Sequence, residues 1–420
     1  MGSVPKSRSL RAFNHRNYRI LYPALALSNI GTWAQRIAQD WLVLQLTHSS
    51  LALGVVTGLQ FAPTLILSFY GGVLADRGDK RVLLAITNAG AGLVSLLLGI
   101  LVVSNTVQVS HVYVLALLLG LFNALDGPIR TSFTSELVGK GDIANAISLN
   151  SANFNVGRLV GPAVSGYLIY LFGTGPSFLL NVFTYMSMLA ALAMLRRDEL
   201  HLSERQTTKA KFSDALRYLG ERPDIQIVMM TVFAVATFGM NYQIFNALMA
   251  TLEFHKGPAE FGGLGTFLAV GSLSGALLSS RFEKSRVPRR IMFGAICFGL
   301  LLVGLALMPT YLAYSFALPF GGAMALLTLI SANSYVQTTT ESHIRGRVMG
   351  IYLTVFMGGT PLFSPVIGWL ADVIGIRATI IGCGLLVAAT SVVLLAFYRS
   401  RRKRQIEDTG DGPTMAIDII

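Results

Sequence analysis

The sequence predicts an all-α integral membrane protein: twelve transmembrane helices in two pseudo-symmetric six-helix bundles. Three observations carry that prediction. Hydrophobic residues make up 53% of the 420 residues and charged residues only 13%. That is about half the charged share of a soluble domain, too little to cover a water-facing surface. Apolar runs recur at the length a bilayer demands, roughly 20 residues per spanning helix. Lys and Arg fall almost wholly on one side of those runs, as the positive-inside rule requires. This composition excludes a nucleic-acid-binding protein, a disordered chain and an ordinary cytosolic enzyme, although the net charge is +12.

The apolar runs lie near 18–46, 50–75, 82–103, 111–136, 143–171, 177–195, 225–252, 259–282, 290–308, 311–337, 347–371 and 377–398. Several hold Gly and Pro, which membrane helices tolerate. The basic N-terminus leads into an apolar stretch long enough to span, so no cleaved signal peptide is expected. The expected division is a cytoplasmic N-terminus (1–17), an N-terminal six-helix bundle (18–195), a cytoplasmic linker (196–224), a C-terminal six-helix bundle (225–398) and a cytoplasmic tail (399–420). In the linker Phe212, Ala215, Leu216 and Leu219 recur at helical spacing, which suggests an interfacial helix. A plain solvated linker accounts for the same mixed charges. The tail opens on Arg401, Arg402, Lys403 and Arg404, turns acidic, and is expected to be mobile.

With the N-terminus in the cytoplasm, Lys256 and Arg377 fall on the outer side. Arg36, Arg130 and Arg158 lie within helices, and every other Lys and Arg lies on the cytoplasmic side. Both termini are therefore expected in the cytoplasm of a multi-pass plasma or inner membrane protein. The halves also repeat weakly. Gly31, Gly54 and Arg81 match Gly239, Gly262 and Arg289, while Gly166-Tyr-Leu and Gly173 match Gly368-Trp-Leu and Gly375. Six plus six helices about a central linker is the layout of two bundles around a midplane site.

Two longer motifs identify a family. After helix 2 comes Gly72-Val-Leu-Ala-Asp76-Arg77-Gly78-Asp79-Lys80-Arg81. It resembles the Gly-x-Leu-Ala-Asp-Arg-x-Gly-Arg-Arg turn of the major facilitator superfamily, with Asp79 in place of the second Gly. An ordinary charged turn is the plain alternative. The resemblance implies a conformational latch, in which Asp76 faces the positive N-terminal end of helix 11. In helix 5, Gly157-Arg158-Leu-Val-Gly161-Pro162-Ala-Val-Ser165-Gly166 resembles the superfamily's antiporter signature, with Ser165 in place of a Gly. Small residues four apart let a neighbouring backbone approach, and Pro162 bends the helix. The stretches Phe13-Asn-His-Arg-Asn-Tyr18-Arg19, Asn29 to Trp41, and Asp126-Gly-Pro128-Ile-Arg130 are similar to the drug/siderophore exporter branch, the group of enterobactin exporters and macrolide efflux pumps. The superfamily's usual Arg in the outer part of helix 4 is absent, so coupling schemes built on it do not carry over.

Ionisable groups inside the membrane are costly and mark function. Asn29, Arg36 and Asp40 share one face of helix 1. Asn123, Asp126 and Arg130 share one face of helix 4, and Asn150, Asn153 and Arg158 lie in helix 5. Asp40, Arg36, Asp126, Arg130 and Arg158 are the proton-coupling candidates. For Asp40 the structural alternative is a salt bridge to Arg36. Asp126 with Arg130 is a second pair, better suited to holding helices together. Asn29, Asn123 and Asn153, with Phe238, Asn241, Tyr242, Phe245, Asn333, Tyr335, Gln337 and Phe356 from the less charged second half, are substrate-cavity candidates. Aromatics at helical spacing also serve plain packing.

No enzyme is expected. The chain has no phosphate loop and no His-Glu-x-x-His, and Gly271-Ser-Leu-Ser-Gly275 lacks the central Ser of a nucleophile elbow. No cofactor or metal is expected, and Cys297 and Cys383 sit in apolar runs as packing groups. The expected function is a secondary active transporter, acting as a monomer. It would export a small amphipathic molecule, drug or siderophore-like, by alternating access with proton antiport. The expected partners are that small-molecule substrate, protons and the lipid bilayer, and not nucleic acid. A lysophospholipid-like substrate is the alternative, and a solute uptake symporter is a more remote one.

Overall fold

The computed structural model describes residues 8–201, 212–279, 287–341 and 343–409. The first seven residues, linker residues 202–211, the basic stretch 280–286 and the tail from 410 lie outside the described residues. Every described element is helical: α1 (Arg16–Thr47), α2 (Ser50–Arg77), α3 (Lys80–Val103), α4 (Val109–Phe172), α5 (Gly175–Ala193), α6 (Phe212–Glu221), α7 (Pro223–Ala234), α8 (Tyr242–Leu248), α9 (Pro258–Ser279), α10 (Pro288–Ala306), α11 (Tyr311–Thr339), α12 (Arg345–Ile374) and α13 (Ile376–Thr409), with short tighter or wider turns between some of them. Ten stretches are each long and apolar enough to cross a bilayer. With the more polar α1 and the second half of α4, they make the twelve-helix all-α membrane fold.

Three boundaries differ from expectation, each for a local reason. The fourth and fifth helices run together as α4, broken only at Gly139, whose φ of 66° and ψ of 174° belong to glycine. The seventh spanning helix is not continuous. Wide π-type turns at Val235–Gly239 and Met249–Glu253 flank α8. Such turns re-aim the side chains that follow and concentrate at functional sites. The last helix continues to Thr409, so the first part of the expected tail is helical. In the linker, residues Phe212–Glu221 are helical as α6.

Capping explains several helix starts. Ser49 accepts from the Ala52 N–H at the start of α2, and Asp79 accepts from the Arg81 and Val82 N–H groups at the start of α3. Asp79 therefore stands where the family pattern has Gly because it caps a helix. At the other end of a helix, Arg377 donates to the carbonyls of Ala306, the last residue of α10, and of Met308 just beyond it, at 2.5 and 2.9 Å.

The chain forms two compact units. The first comprises α1–α5 with Gln243–Ala269 and Ser364–Val373. The second comprises α6, α7 as far as Tyr242, Val270–Phe363, and the chain from Ile374 onward. In the first unit a polar network crosses three helices. Asn181 donates to the Gln35 carbonyl oxygen at 2.6 Å, Ser95 donates to the same oxygen at 2.7 Å, and Thr184 donates to Asn181. Hydrogen bonds of this kind hold helices together where no hydrophobic force does. In the second unit α9 and α11 touch through backbone. A Cβ on Gly271 would lie 2.0 Å from the Pro319 carbonyl oxygen, and one on Gly275 2.2 Å from that of Ala323.

A buried ion pair that sequence reading missed ties the α2–α3 turn to α4. The Lys80 Nζ lies 2.6 Å from the Glu136 carboxylate, with both side chains under 10% exposed. Removing one partner of a buried pair strands a charge and costs about 3–5 kcal/mol, whereas an apolar pair of similar volume is near neutral. Glu136→Ala is therefore expected to lower the unfolding midpoint of the detergent-solubilised protein sharply. Lys80→Met combined with Glu136→Leu should restore most of the loss in the same thermal melt.

Candidate functional site

The site is built along one face of α1. Asp40 is fully buried. Its Oδ2 accepts from the Gln243 amide nitrogen at 2.5 Å, while its Oδ1 has no partner among the described residues. Gln243 is the second residue of α8, which starts shortly after the π-type turn that ends at Gly239. Next to Asp40, both amide atoms of the buried Gln39 are also without a hydrogen-bond partner among the described residues. Trp41 stacks on Phe261 of α9, with ring centroids 6.3 Å apart.

Arg36 does not make the salt bridge to Asp40 that was the structural alternative, although the two charges still interact. Its guanidinium lies over two rings, 4.9 Å from the Trp33 centroid and 5.1 Å from that of Phe61. Arg158 of α4 lies 5.9 Å from the same Trp33 ring, and Phe154 meets that ring edge-on at 5.7 Å. Close by, Asn29 donates to Asn153 at 3.2 Å. Asp126 and Arg130 do form their pair, at 2.6 Å, and the Asp126 carboxylate also accepts from Thr87 and Asn88 of α3. Saturated in this way, it ties α3 to α4. Asn123 is half-buried on the same helix.

The small residues of the antiporter-like motif make close contacts on two sides. Gly157 and Gly161 face α1: a Cβ on them would lie 2.7 Å from the Asn29 Cβ and 2.6 Å from the Trp33 Cβ. Gly166 faces α9, where its Cβ would lie 2.7 Å from the Pro258 carbonyl oxygen. A Cβ on Gly262 would lie 2.3 Å from the Pro162 carbonyl oxygen. The Thr266 hydroxyl donates across this contact to the Leu159 carbonyl at 3.1 Å. Ser165, which departs from the motif, donates to Ser177 of α5 at 3.2 Å.

In the other motif, Gly72 lies in α2, and Asp76 and Arg77 are exposed. Asp76 makes no hydrogen bond to a described residue. The basic residues are engaged: Lys80 with Glu136, and Arg81 with the Ala193 carbonyl at the end of α5, at 2.8 Å. A carboxylate at a helix N-terminus is found elsewhere. Asp372 of α12 accepts from the Ser50 N–H at 2.8 Å, and from the Leu51 N–H and the Ser49 hydroxyl at 2.9 Å each, at the start of α2. Beside it, Gly54 and Gly368 pack on backbone: their Cβ atoms would lie 2.3 Å from the Ser364 and Ser50 carbonyl oxygens. Asp372 was not singled out from the sequence, yet a signal was there. Gly368-Trp-Leu-Ala-Asp372 repeats the Gly72-Val-Leu-Ala-Asp76 pattern.

The remaining cavity candidates scatter. Phe245 is buried in the first unit. In the second, Tyr242 is buried beside Phe298, and Phe238 meets Phe363 edge-on at 5.2 Å. Asn241 bonds back to the Thr237 carbonyl, and Gln337 donates to Asn333. Phe356 is half-buried. Tyr335 belongs to a different group: its hydroxyl donates to Asp224 at 2.7 Å, and Asp224 pairs with Arg222 at 2.8 Å. The hydrogen-bonded Asp224 carboxylate holds the Arg222 guanidinium above its ordinary pKa.

Two substitutions test these contacts. Gly262→Val forces a branched side chain onto the Pro162 carbonyl and should cost about 1–3 kcal/mol of overpacking. Its melting midpoint should fall, while Gly304→Ala, with no atom near its Cβ position, should leave the midpoint unchanged. Asp372→Ala removes the carboxylate that holds the α2 N-terminus, a loss of about 1 kcal/mol or more. In a Cys297→Ser, Cys383→Ser background, maleimide labelling of a buried Ser50→Cys should then speed up severalfold.

Residues 7–412 match the family described as transmembrane secretion effector. The chain is 26% identical over 390 residues to the staphyloferrin A transporter of Staphylococcus aureus, covering 90% of this chain and 94% of that protein. It is 24% identical to the enterobactin exporter EntS of Salmonella typhimurium, covering 94% and 96%. It is 26% identical to the multidrug efflux pump Tap of Mycolicibacterium fortuitum, covering 91% and 95%. Among solved structures it shares the fold of a bacterial homologue of the human lysosomal transporter Spinster in an inward-facing, unoccupied conformation. That match has a TM-score of 0.75 and 15% identity, and covers 94% of this chain and 97% of the other. With twelve spanning helices, both signature motifs and a family match over nearly its whole length, the chain belongs to the transmembrane secretion effector family of the major facilitator superfamily and is a multi-pass membrane transporter.

Proposed function

We propose that the protein is a secondary exporter of a small amphipathic molecule, drug or siderophore-like. In this reading it works by alternating access with proton antiport, and both termini lie in the cytoplasm. The observation that carries the reading is Asp40. A carboxylate buried at membrane depth is expensive to keep charged unless something stabilises it. Here one oxygen has a neutral amide partner and the other has none among the described residues. Desolvation favours the protonated form, while water or a cation favours the charged one. A group in that balance changes its proton occupancy when access to water changes, which is what coupling requires.

The contacts of α9 and α12 support the alternating-access part of the reading. Gly166 against Gly262, and Gly54 and Gly368 against backbone, bring helices together without interlocked side chains. Such surfaces separate and re-form at modest cost. The Asp372 carboxylate adds a directional bond at the end where α1 meets α2. With the termini in the cytoplasm, that end faces outward, and the contact serves as an outer gate. The siderophore and drug transporters among the relatives support the substrate range.

Asp40→Asn tests the reading. The substrate would be chosen by a thermal-shift screen of siderophores, antibiotics and lysolipids, since a true ligand stabilises the protein by mass action. Asn keeps the hydrogen bond to Gln243 but cannot exchange a proton. In proteoliposomes the variant should still bind substrate, and uphill movement driven by an imposed pH gradient should fall to background. Full gradient-driven transport by Asp40→Asn would overturn the proposal.

A further inference from the structure

We propose that the groove between α3 and α5, at the basic end of the first unit, binds an anionic phospholipid. Arg81 and Arg197 hold its phosphate, and its acyl chains lie along the apolar wall below them. The groove encloses about 650 Å³. Val82, Ala85, Ile86 and Ala89 of α3 face Leu189 and Leu192 of α5 across it, and its charged lining residues are Arg81 and Arg197. Both helices are long and apolar enough to cross a bilayer. Val82 and Ile86 are 45% and 58% exposed, so this wall is left for lipid to cover. Arg81 stands in the first turn of α3, and Arg197 follows the end of α5. The guanidinium groups therefore sit where the apolar spans stop and head groups begin.

The two arginines have charge to offer. Arg81 donates one N–H to the Ala193 carbonyl at 2.8 Å, which fixes its side chain between the two helices that form the groove. A carbonyl carries no net charge, and no carboxylate among the described residues makes a salt bridge to Arg81. Arg197 meets Asp79 at 3.4 Å, with the two side chains 69% and 48% exposed. Exposed pairs of this kind are weak and give way to a better partner. The acidic residues of this end do not line the groove. Asp79 is occupied in capping α3, and Glu199 pairs with Arg196 at 3.2 Å. Because Asp79 already fills the N-terminus of α3, the arginines and not the helix end are what a phosphate meets.

A phosphodiester presents its oxygens to the guanidinium fork, and basic residues at the cytoplasmic surface of a membrane attract anionic head groups. A zwitterionic lipid adds an ammonium group, and the carboxylate it would turn to, Asp79, is engaged. The groove therefore selects the anionic head group. A free phosphate lacks the chains that the apolar wall fits. The cytoplasmic leaflet is taken from the orientation proposed above, and the rest of the inference is independent of the export reading.

The test is native mass spectrometry of the full-length protein in detergent, titrated with phosphatidylglycerol and with phosphatidylcholine of the same chain length. Wild type is expected to retain its first phosphatidylglycerol at a severalfold lower concentration than its first phosphatidylcholine. Arg81→Gln and Arg197→Gln should each weaken phosphatidylglycerol retention by roughly fivefold, the change that one basic residue gives at an anionic surface. Ala89→Trp, an exposed position in the groove, keeps both arginines but fills the space, and should also weaken it severalfold. Arg290→Gln removes the same charge from an exposed site at the start of α10 and should leave retention unchanged. Melting midpoints show which variants fold, and Ala89→Trp decides the matter if the arginine variants do not. Equal retention of the two lipids by wild type overturns the inference. So does unchanged retention in the folded groove variants, or an equal loss in Arg290→Gln. Displacement of the lipid by glycerol phosphate at matched concentration would mark a bare anion site and overturn it as well. Retention is read without any gradient or substrate, so its failure leaves the Asp40 reading untouched, and failure of gradient-driven transport leaves the lipid site standing.

Discussion

A polar group inside a hydrocarbon slab has no water to turn to, and the arrangement of this protein follows from that constraint. The backbone meets it by being helical throughout the described residues. The side chains meet it by finding one another. Lys80 takes Glu136, Asp126 takes Arg130 with Thr87 and Asn88, and Gln35 takes Ser95 and Asn181. Each of these groups ties two or three helices together, although the Gln35 amide nitrogen and the Asn88 amide oxygen have no partner among the described residues. Not every buried polar atom is matched: both amide atoms of Gln39 and of Gln60 have no partner among the described residues. One carboxylate oxygen is left over at Asp40, and the Arg36 guanidinium rests on aromatic faces.

Helix contact in this fold depends on closeness more than on interlocking. Glycines at 157, 161, 166 and 262 bring backbone against side-chain base or against backbone. Dispersion gains from such approach are spread over many atoms and have little directionality. Directional bonds are then added sparingly at the contacts, as with Thr266 to Leu159 and Asp372 to the start of α2. The combination gives a contact that is specific in register yet carries few bonds to break.

Much of the site was legible in the residues. The one-face spacing of Asn29, Arg36 and Asp40, the pair Asp126–Arg130, and the small-residue face of helix 5 all have the roles in packing or position that periodicity implies. The latch motif was legible only in part. Its basic residues are engaged with Glu136 and the end of α5, while Asp76 is exposed. Carboxylate capping in trans occurs instead through Asp372, whose pattern stood in the sequence as a second copy of the first. The aromatic candidates of the second half were the least legible. Phe245 and Tyr242 are buried packing groups, and Tyr335 belongs to an ionic group with Asp224 and Arg222. Helical spacing says which residues share a face. It does not say whether that face meets a neighbour or an opening.

The sequence by itself determined the membrane fold, because span length, apolar content and one-sided basic charge are local quantities that a bilayer reads directly. It also determined which faces carry polar groups, because the helical period is fixed. Only the tertiary structure decided who pairs with whom. Gln243 reaches Asp40 from some two hundred residues away, shortly after a wide turn ends. Glu136 lies 56 residues from Lys80, and Asp372 lies 322 residues from Ser50. Pairings at such separations depend on how helices rotate and cross, and no local pattern encodes that. Arg36 shows the same limit. Spacing placed it one turn from Asp40, and packing placed it against Trp33 and Phe61 instead, because two ring faces and a second arginine meet at that point only when α1, α2 and α4 come together.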